Sequence, residues 1–179
     1  YKSGMELLAA GDTERAMVEF RNVFKYDGFH QQARQAYADT LLAKGDTGEA
    51  YSQYLRLIEQ YPDTPAVRRT LAEVAIGRGD WAEAERHGRA AQGLTPDDPA
   101  VQAIVLALDY RTALLANDTA GVARAVEATK AVLETLPDNE VALRVLIDNL
   151  SSSADPLASL PVLDRVLAQW EPSISPMVE

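Results

Sequence analysis

The apolar positions of this chain come back every 34 residues. Leu8, Leu42 and Ile76 stand three residues before Gly11, Gly45 and Gly79, and each glycine is followed by an aspartate, Asp12, Asp46 or Asp80. Five residues after the glycine the series reads Ala16, Ala50, Ala84; nine after it, Phe20, Tyr54, Gly88; twelve after it, Val23, Leu57, Ala91. Seventeen after it come Gly28, Pro62 and Pro96. An internal period of this length means that each unit buries its apolar face only by stacking on its neighbours. No region alternates apolar and polar residues with β-branched enrichment, so strands are not expected.

The frame has a direct physical reading. An apolar helix ends at the glycine, which takes the left-handed conformation without a Cβ penalty. The aspartate caps the next helix by accepting a bond from its first free amides. Asp46 with Glu49, and Asp80 with Glu83, have capping-box spacing. The small alanine five residues on lets two helices approach closely, and Pro62 or Pro96 stops the second helix.

Beyond Pro96 the register drifts. Asn117-Asp118 reads as the next turn, later than a strict period requires, and Pro137 ends the helix that follows. Ala154-Asp155 reads as a fifth turn, with Pro156 at the first helical position and Ser159, Leu163 and Val166 at the small and apolar positions. The expectation is a single all-α domain over 1–171, with units at about 1–28, 29–62, 63–96, 97–137 and 138–171, and a tail or linker over 172–179. The fourth unit has lengthened helices. Its first helix, from Pro99 to Ala116, is apolar nearly all round, interrupted by Gln102. Such a helix is either buried on all sides, by its own unit or by further sequence, or it exposes an apolar patch that takes a partner helix or makes a homodimer.

These residues resemble the tetratricopeptide repeat (TPR) family over nearly the whole chain. Ala16, Ala50 and Ala84 fall on the family's small position in the second helix, Phe20 and Tyr54 on its aromatic position, and Pro62 and Pro96 on its terminal proline. Gly4, Ala38 and Ala72 take the small position of the first helix, and Trp81 the aromatic after the turn. Gly88 replaces the aromatic, Gly28 the proline, and Arg34 and Arg68 the family's early Trp. The resemblance implies an α-solenoid of antiparallel helix pairs wound as a right-handed superhelix. Its concave groove would be lined by first-helix positions. Carried over, these are Gln32, Gln35, Asp39 and Leu42; Ala66, Arg69, Glu73 and Ile76; Ala100, Ala103, Ala107 and Tyr110; Val141, Arg144, Asp148 and Ser151. The Lys/Asn/Arg clamp with which some TPR domains grip a C-terminal carboxylate is not recognisable, since Gln35, Asp39 and Thr70 occupy key places.

Charge and composition narrow the partner. The 179 residues carry 17 basic and 27 acidic side chains, a net charge of −10, without a basic stripe of the kind nucleic acid or an anionic membrane needs. The acidic excess reads as a solvated outer face and helix caps, or, more sharply, as a groove that selects a basic peptide. There is no cysteine, hence no disulfide or thiolate chemistry. His30 and His87 form no helical metal pair, and His30 sits where it would cap a helix. Asp98 before Pro99 reads as a cap, Gly77-Arg78-Gly79 as a helix end rather than a phosphate loop, and Tyr37, Tyr51, Tyr54 and Tyr61 as core. No enzyme activity, cofactor or metal is expected.

Two functional classes follow. The first is a protein–protein interaction scaffold holding a peptide or helix of a partner in the concave groove. The alternative is a self-associating structural module of a larger protein, with any chemistry in another domain. The chain opens at Tyr1 inside an expected helix and shows no leader or membrane-spanning run, which reads as a piece of a longer protein. The stretches Glu19–Val23 and Ala82–Glu85 resemble those of bacterial TPR proteins, including lipid-anchored and periplasmic ones serving envelope assembly and polysaccharide export. Periplasm or envelope and cytoplasm both stay open.

Overall fold

The computed structural model of the chain describes residues 1–152 and the single positions 161 and 164. Among them the only regular elements are helices, paired through tight turns: α1 (Lys2–Ala9) with α2 (Thr13–Tyr26), α3 (Gln31–Ala43) with α4 (Thr47–Gln60), α5 (Pro65–Arg78) with α6 (Trp81–Leu94), α7 (Pro99–Leu115) with α8 (Thr119–Thr135), and then α9 (Glu140–Ser151). The second helix expected for a fifth unit, with Ala154-Asp155, Ser159, Leu163 and Val166, lies outside the described residues, as does the 172–179 tail. The result is an all-α solenoid of antiparallel helix pairs.

The turns are built as the repeat predicts. Gly11, Gly45 and Gly79 have φ of 78°, 82° and 75°, and Asn117 takes the fourth such position at 54°. Asparagine is among the few non-glycine residues that tolerate this region. Asp12, Asp46, Asp80 and Asp118 then cap the following helices through their side chains. A Cβ added at Gly45 meets nothing within 4 Å. Gly45→Ala should therefore cost only the conformational penalty, about 1–2 kcal/mol, read as a shift of the urea midpoint at unchanged slope.

The capping-box glutamates behave differently from their spacing. The amides of Asp46 and Asp80 donate to the carbonyls of Leu41 and Ala75, both at 2.9 Å, closing the preceding helix. Glu49 and Glu83 are thus free for other work. Glu49 accepts from Gln53 Nε2 at 2.7 Å, and Glu83 from the Tyr51 hydroxyl at 3.2 Å.

Arginine in place of the early Trp has a repeated purpose. Arg34 donates to the carbonyl of Gly28 at 2.6 Å, Arg68 to that of Pro62 at 3.3 Å, and Gln102 to that of Pro96 at 3.3 Å. These are equivalent positions in successive units, so a long polar side chain ties each first helix to the loop before it. Arg34 also lies 4.7 Å over the Phe24 ring, replacing aromatic packing with a cation–π contact.

The core is divided. One apolar cluster runs from Ala16 through Phe20, Tyr54 and Leu57 to Val67 and Leu71; the other runs from Ala72 through Ile76, Ile104 and Leu108 to Leu146. α5 belongs to both and marks the boundary. The lengthened fourth pair, 17 residues in each helix against 13 or 14 in α3–α6, dominates the second cluster. The apolar α7 is buried at Val101, Ala103, Ile104, Ala107, Leu108, Tyr110 and Ala113, packed against α5, α6, α8 and α9. Of its large apolar side chains only Leu114 and Leu115, at the far end, are exposed. The tyrosines expected in the core divide likewise, with Tyr37 and Tyr54 buried and Tyr51 and Tyr61 half-buried.

Candidate partner-binding groove

The first helices face inward. α5 touches α7 and α7 touches α9, whereas among the described residues no two second helices make a comparable contact, so the first-helix face is the shorter, concave one. Arg144 on α9 reaches back to the Gly77 carbonyl at the end of α5, at 3.5 Å.

Two depressions open along this face. The first, about 350 Å³, lies between Arg69 and Glu73 of α5, Ala100 of α7 and the α8–α9 loop at Pro137–Asn139. Arg69 is ion-paired with Glu73 at 3.6 Å and with Asp98 at 3.4 Å. Burial raises the Glu73 carboxyl above the usual carboxylate range, against the pull of Arg69, with Asp98 and Glu140 adding to the rise. Acid therefore neutralises this end of the groove sooner than an ordinary glutamate would allow.

The second depression, about 150 Å³, has apolar and charged walls drawn from three units: Ile76, Trp81, Ala107, Val141 and Val145, with Arg144 and Asp148 at the edge. Arg111 lies 4.4 Å over the Trp81 ring. The Tyr110 hydroxyl donates to Asp148 at 3.0 Å, and its pKa is raised by burial and by that carboxylate.

The carried-over positions thus separate into groups. Arg69 and Glu73 meet at the first depression; Ala107, Tyr110, Arg144 and Asp148 meet at the second. Gln32, Gln35 and Asp39 sit on α3 and line neither, Asp39 instead accepting from the Tyr54 hydroxyl at 2.6 Å. Ala103 has no exposed surface and is core rather than groove. Trp81, Arg111, Asp98 and the α8–α9 loop join the concave face without being first-helix groove positions. Only the superhelical bend brings them there.

Two roomier depressions lie on the other side, where the lengthened fourth pair stands between its neighbours. One, about 430 Å³, is walled by Val105, Leu106, Ala128 and Ala131; the adjoining one, about 490 Å³, runs past Asp109 and Arg124.

His30 caps α3, its Nδ1 accepting from the Ala33 amide at 3.2 Å, and Asp98 caps α7 at Ala100. Among the described residues no three His, Cys, Asp or Glu side chains come together so as to hold a metal ion, and no helix is long and apolar enough to cross a membrane.

No curated protein sequence matches the chain. Solved structures do. A MamA double mutant (RS-1 ArsTM) superposes with a TM-score of 0.65 at 14% identity, covering 98% of this chain and 94% of that one. A chain of the APC/C hetero-tetramer Cut9–Hcn1 gives 0.65 at 15%, covering 93% of this chain and 32% of that one. PilF of Pseudomonas aeruginosa gives 0.59 at 17%, covering 93% and 73%. At these identities the likeness is one of fold. The sequence pattern of the tetratricopeptide repeat itself matches residues 7–69 and 41–108, more than half of the 179. The chain belongs to the tetratricopeptide repeat family.

Proposed function

We propose that the protein is an interaction scaffold that holds a peptide or helix of a protein partner in its concave groove, and that it performs no catalysis of its own. The observation that carries this reading is the second depression. Its walls come from α5, α6, α7 and α9, so it exists only because the units stack, and it joins apolar floor to charged edge. Such a surface suits a segment with an apolar anchor and flanking polar groups. Arg69, Glu73, Tyr110, Arg144 and Asp148 are the proposed contacts; Gln32, Gln35 and Asp39 would extend the groove toward α3.

The test uses the whole chain to select peptides from a random displayed library, followed by affinity measurements. Arg144→Ala should weaken the selected peptides at least tenfold, about 1.4 kcal/mol, at unchanged thermal midpoint. Equal affinity for the variant would sink the groove reading.

One observation favours the alternative of self-association. Leu114 and Leu115 are exposed at the end of the lengthened α7, 40% and 72% respectively. If this tip joins two copies, light scattering across a concentration series will show a dimer that Leu115→Glu abolishes. A monomer at all concentrations removes that reading.

A further inference from the structure

His87 is the only ionisable side chain of the described residues without any exposed surface. It lies on α6 at the boundary of the two apolar clusters, facing α4 and α5. Arg68 Nη1 of α5 is 3.2 Å from its Nδ1, and Glu83 Oε2 of α6 is 3.2 Å from its Nε2. An arginine only donates, so Nδ1 must be the acceptor, and the ring proton sits on Nε2, donated to Glu83. Arg86 Nη2 is also 3.2 Å from Nε2, and its own proton goes to Glu83 at 2.7 Å. From α4, Tyr51 donates to the same carboxylate and meets the imidazole edge-on at 6.5 Å. Tyr51 is itself pushed up to about 12 by burial and by Glu83, so it stays a donor. Asp80 and Arg78 stand behind Tyr51, and Asp109 of α7 is taken by Arg89.

The preceding unit contains the same relay with a side chain that cannot titrate. Arg34 Nη1 donates to Gln53 Oε1 at 2.6 Å, and Gln53 Nε2 donates to Glu49 at 2.7 Å. Each member is 34 positions before its counterpart: Arg34 and Arg68, Gln53 and His87, Glu49 and Glu83. A neutral Nε2–H imidazole reproduces the glutamine amide, acceptor on one side and donor on the other. An imidazolium does not, because both nitrogens then donate and Nδ1 meets the Arg68 guanidinium rather than an acceptor.

We propose that the Arg68–His87–Glu83 relay is a proton-sensitive joint between the second and third units: neutral His87 holds α4, α5 and α6 together, and its protonation expels Arg68 and loosens that junction. The inference stands apart from the groove reading. Its consequence reaches the concave face nonetheless, because Arg68 and Arg69 are neighbours on α5 and a displaced α5 disturbs the Arg69–Asp98 pair. Burial, with Arg86 and Arg68, holds the imidazole below its ordinary value of 6.5, while Glu83 opposes them. The folded state therefore binds fewer protons than the unfolded one in the interval below pH 6.5. Stability is present above that value and is lost as pH falls through it, by up to about tenfold in the folding constant per pH unit.

The experiment compares the chain with His87→Gln, the substitution the second unit already contains, and with His30→Asn, which keeps a capping acceptor. Urea unfolding and amide exchange are followed from pH 7.5 to 5.0, with nitrogen-15 spectra of the imidazoles. The expected result is an Nε2–H tautomer for His87, a midpoint below 6.5, and acid-induced loss of protection in α5 and α6 that His87→Gln removes and His30→Asn keeps. A midpoint at or above 6.5, an Nδ1–H tautomer, or the same acid dependence in His87→Gln would overturn the joint. If His87→Gln fails to fold, the spectra of the unmodified chain decide alone.

Discussion

Ile104→Ala should lower stability by about 2–5 kcal/mol, and Gly88→Ala, on the facing helix, by about 1–3 kcal/mol. Ile104 has no exposed surface and lies within the larger apolar cluster. Its removal leaves a cavity between α6 and α7 that helices pinned by α8 and α9 cannot close. Gly88 is the other half of the same contact: a Cβ there falls 2.8 Å from Ile104 Cγ2 and 3.1 Å from Leu108 Cδ1. The two changes should compensate, the methyl at 88 filling part of the space vacated at 104. A double-mutant cycle from urea midpoints is expected to give a coupling of about 0.5–3 kcal/mol, with the double variant more stable than the sum of the singles predicts. Strict additivity would show that α6 and α7 do not meet in this way.

Phe20→Ala should be comparably severe, about 3–5 kcal/mol, but local. Phe20 is fully buried and stands over Gly4, where a Cβ would fall 2.6 Å from its ring. It belongs to the first cluster, and contacts in a solenoid are nearest-neighbour. Amide exchange should therefore accelerate in α1–α4 while α7–α9 keep their protection. Uniform loss of protection would mean that the two clusters melt as one unit. The Ile104 variant offers the mirror-image result, with α7–α9 exposed and α2–α4 intact.

Much of the fold was legible because its determinants are local. The left-handed turn at Gly45 depends on that glycine and on an aspartate one residue later, and both are visible in the chain. So were the caps at His30 and Asp98, which need only a side-chain acceptor ahead of free amides. The capping-box glutamates show where local reading stops. Glu49 and Glu83 stand at the right spacing, yet the amides they would have served are already bonded, and their carboxylates turn instead to Gln53 and to Tyr51 and His87. The placement of the carried-over positions was legible in part. Arg69 with Glu73, and Tyr110 with Asp148, reached the two depressions from first-helix positions that the family resemblance assigned. Ala103 did not, because whether a small residue lines a groove or fills a core depends on how closely the next helix approaches. Trp81, Arg111 and the α8–α9 loop carried no sign of their place, since the superhelical bend assigns it.

The sequence by itself determined the ends of the helices through α8, their pairing and the common direction of their apolar faces, because turn conformation, capping and 34-residue periodicity act between residues a few positions apart. Tertiary structure alone decided that α7 is buried by four neighbours, that the concave face gathers residues from three units into one depression, and that a histidine lies without solvent between Arg68 and Glu83. Those outcomes depend on the angle and distance at which one unit settles on the next. That geometry is fixed by the volumes of residues such as Gly88 and Ile104, which are far apart along the repeat and meet only when it stacks.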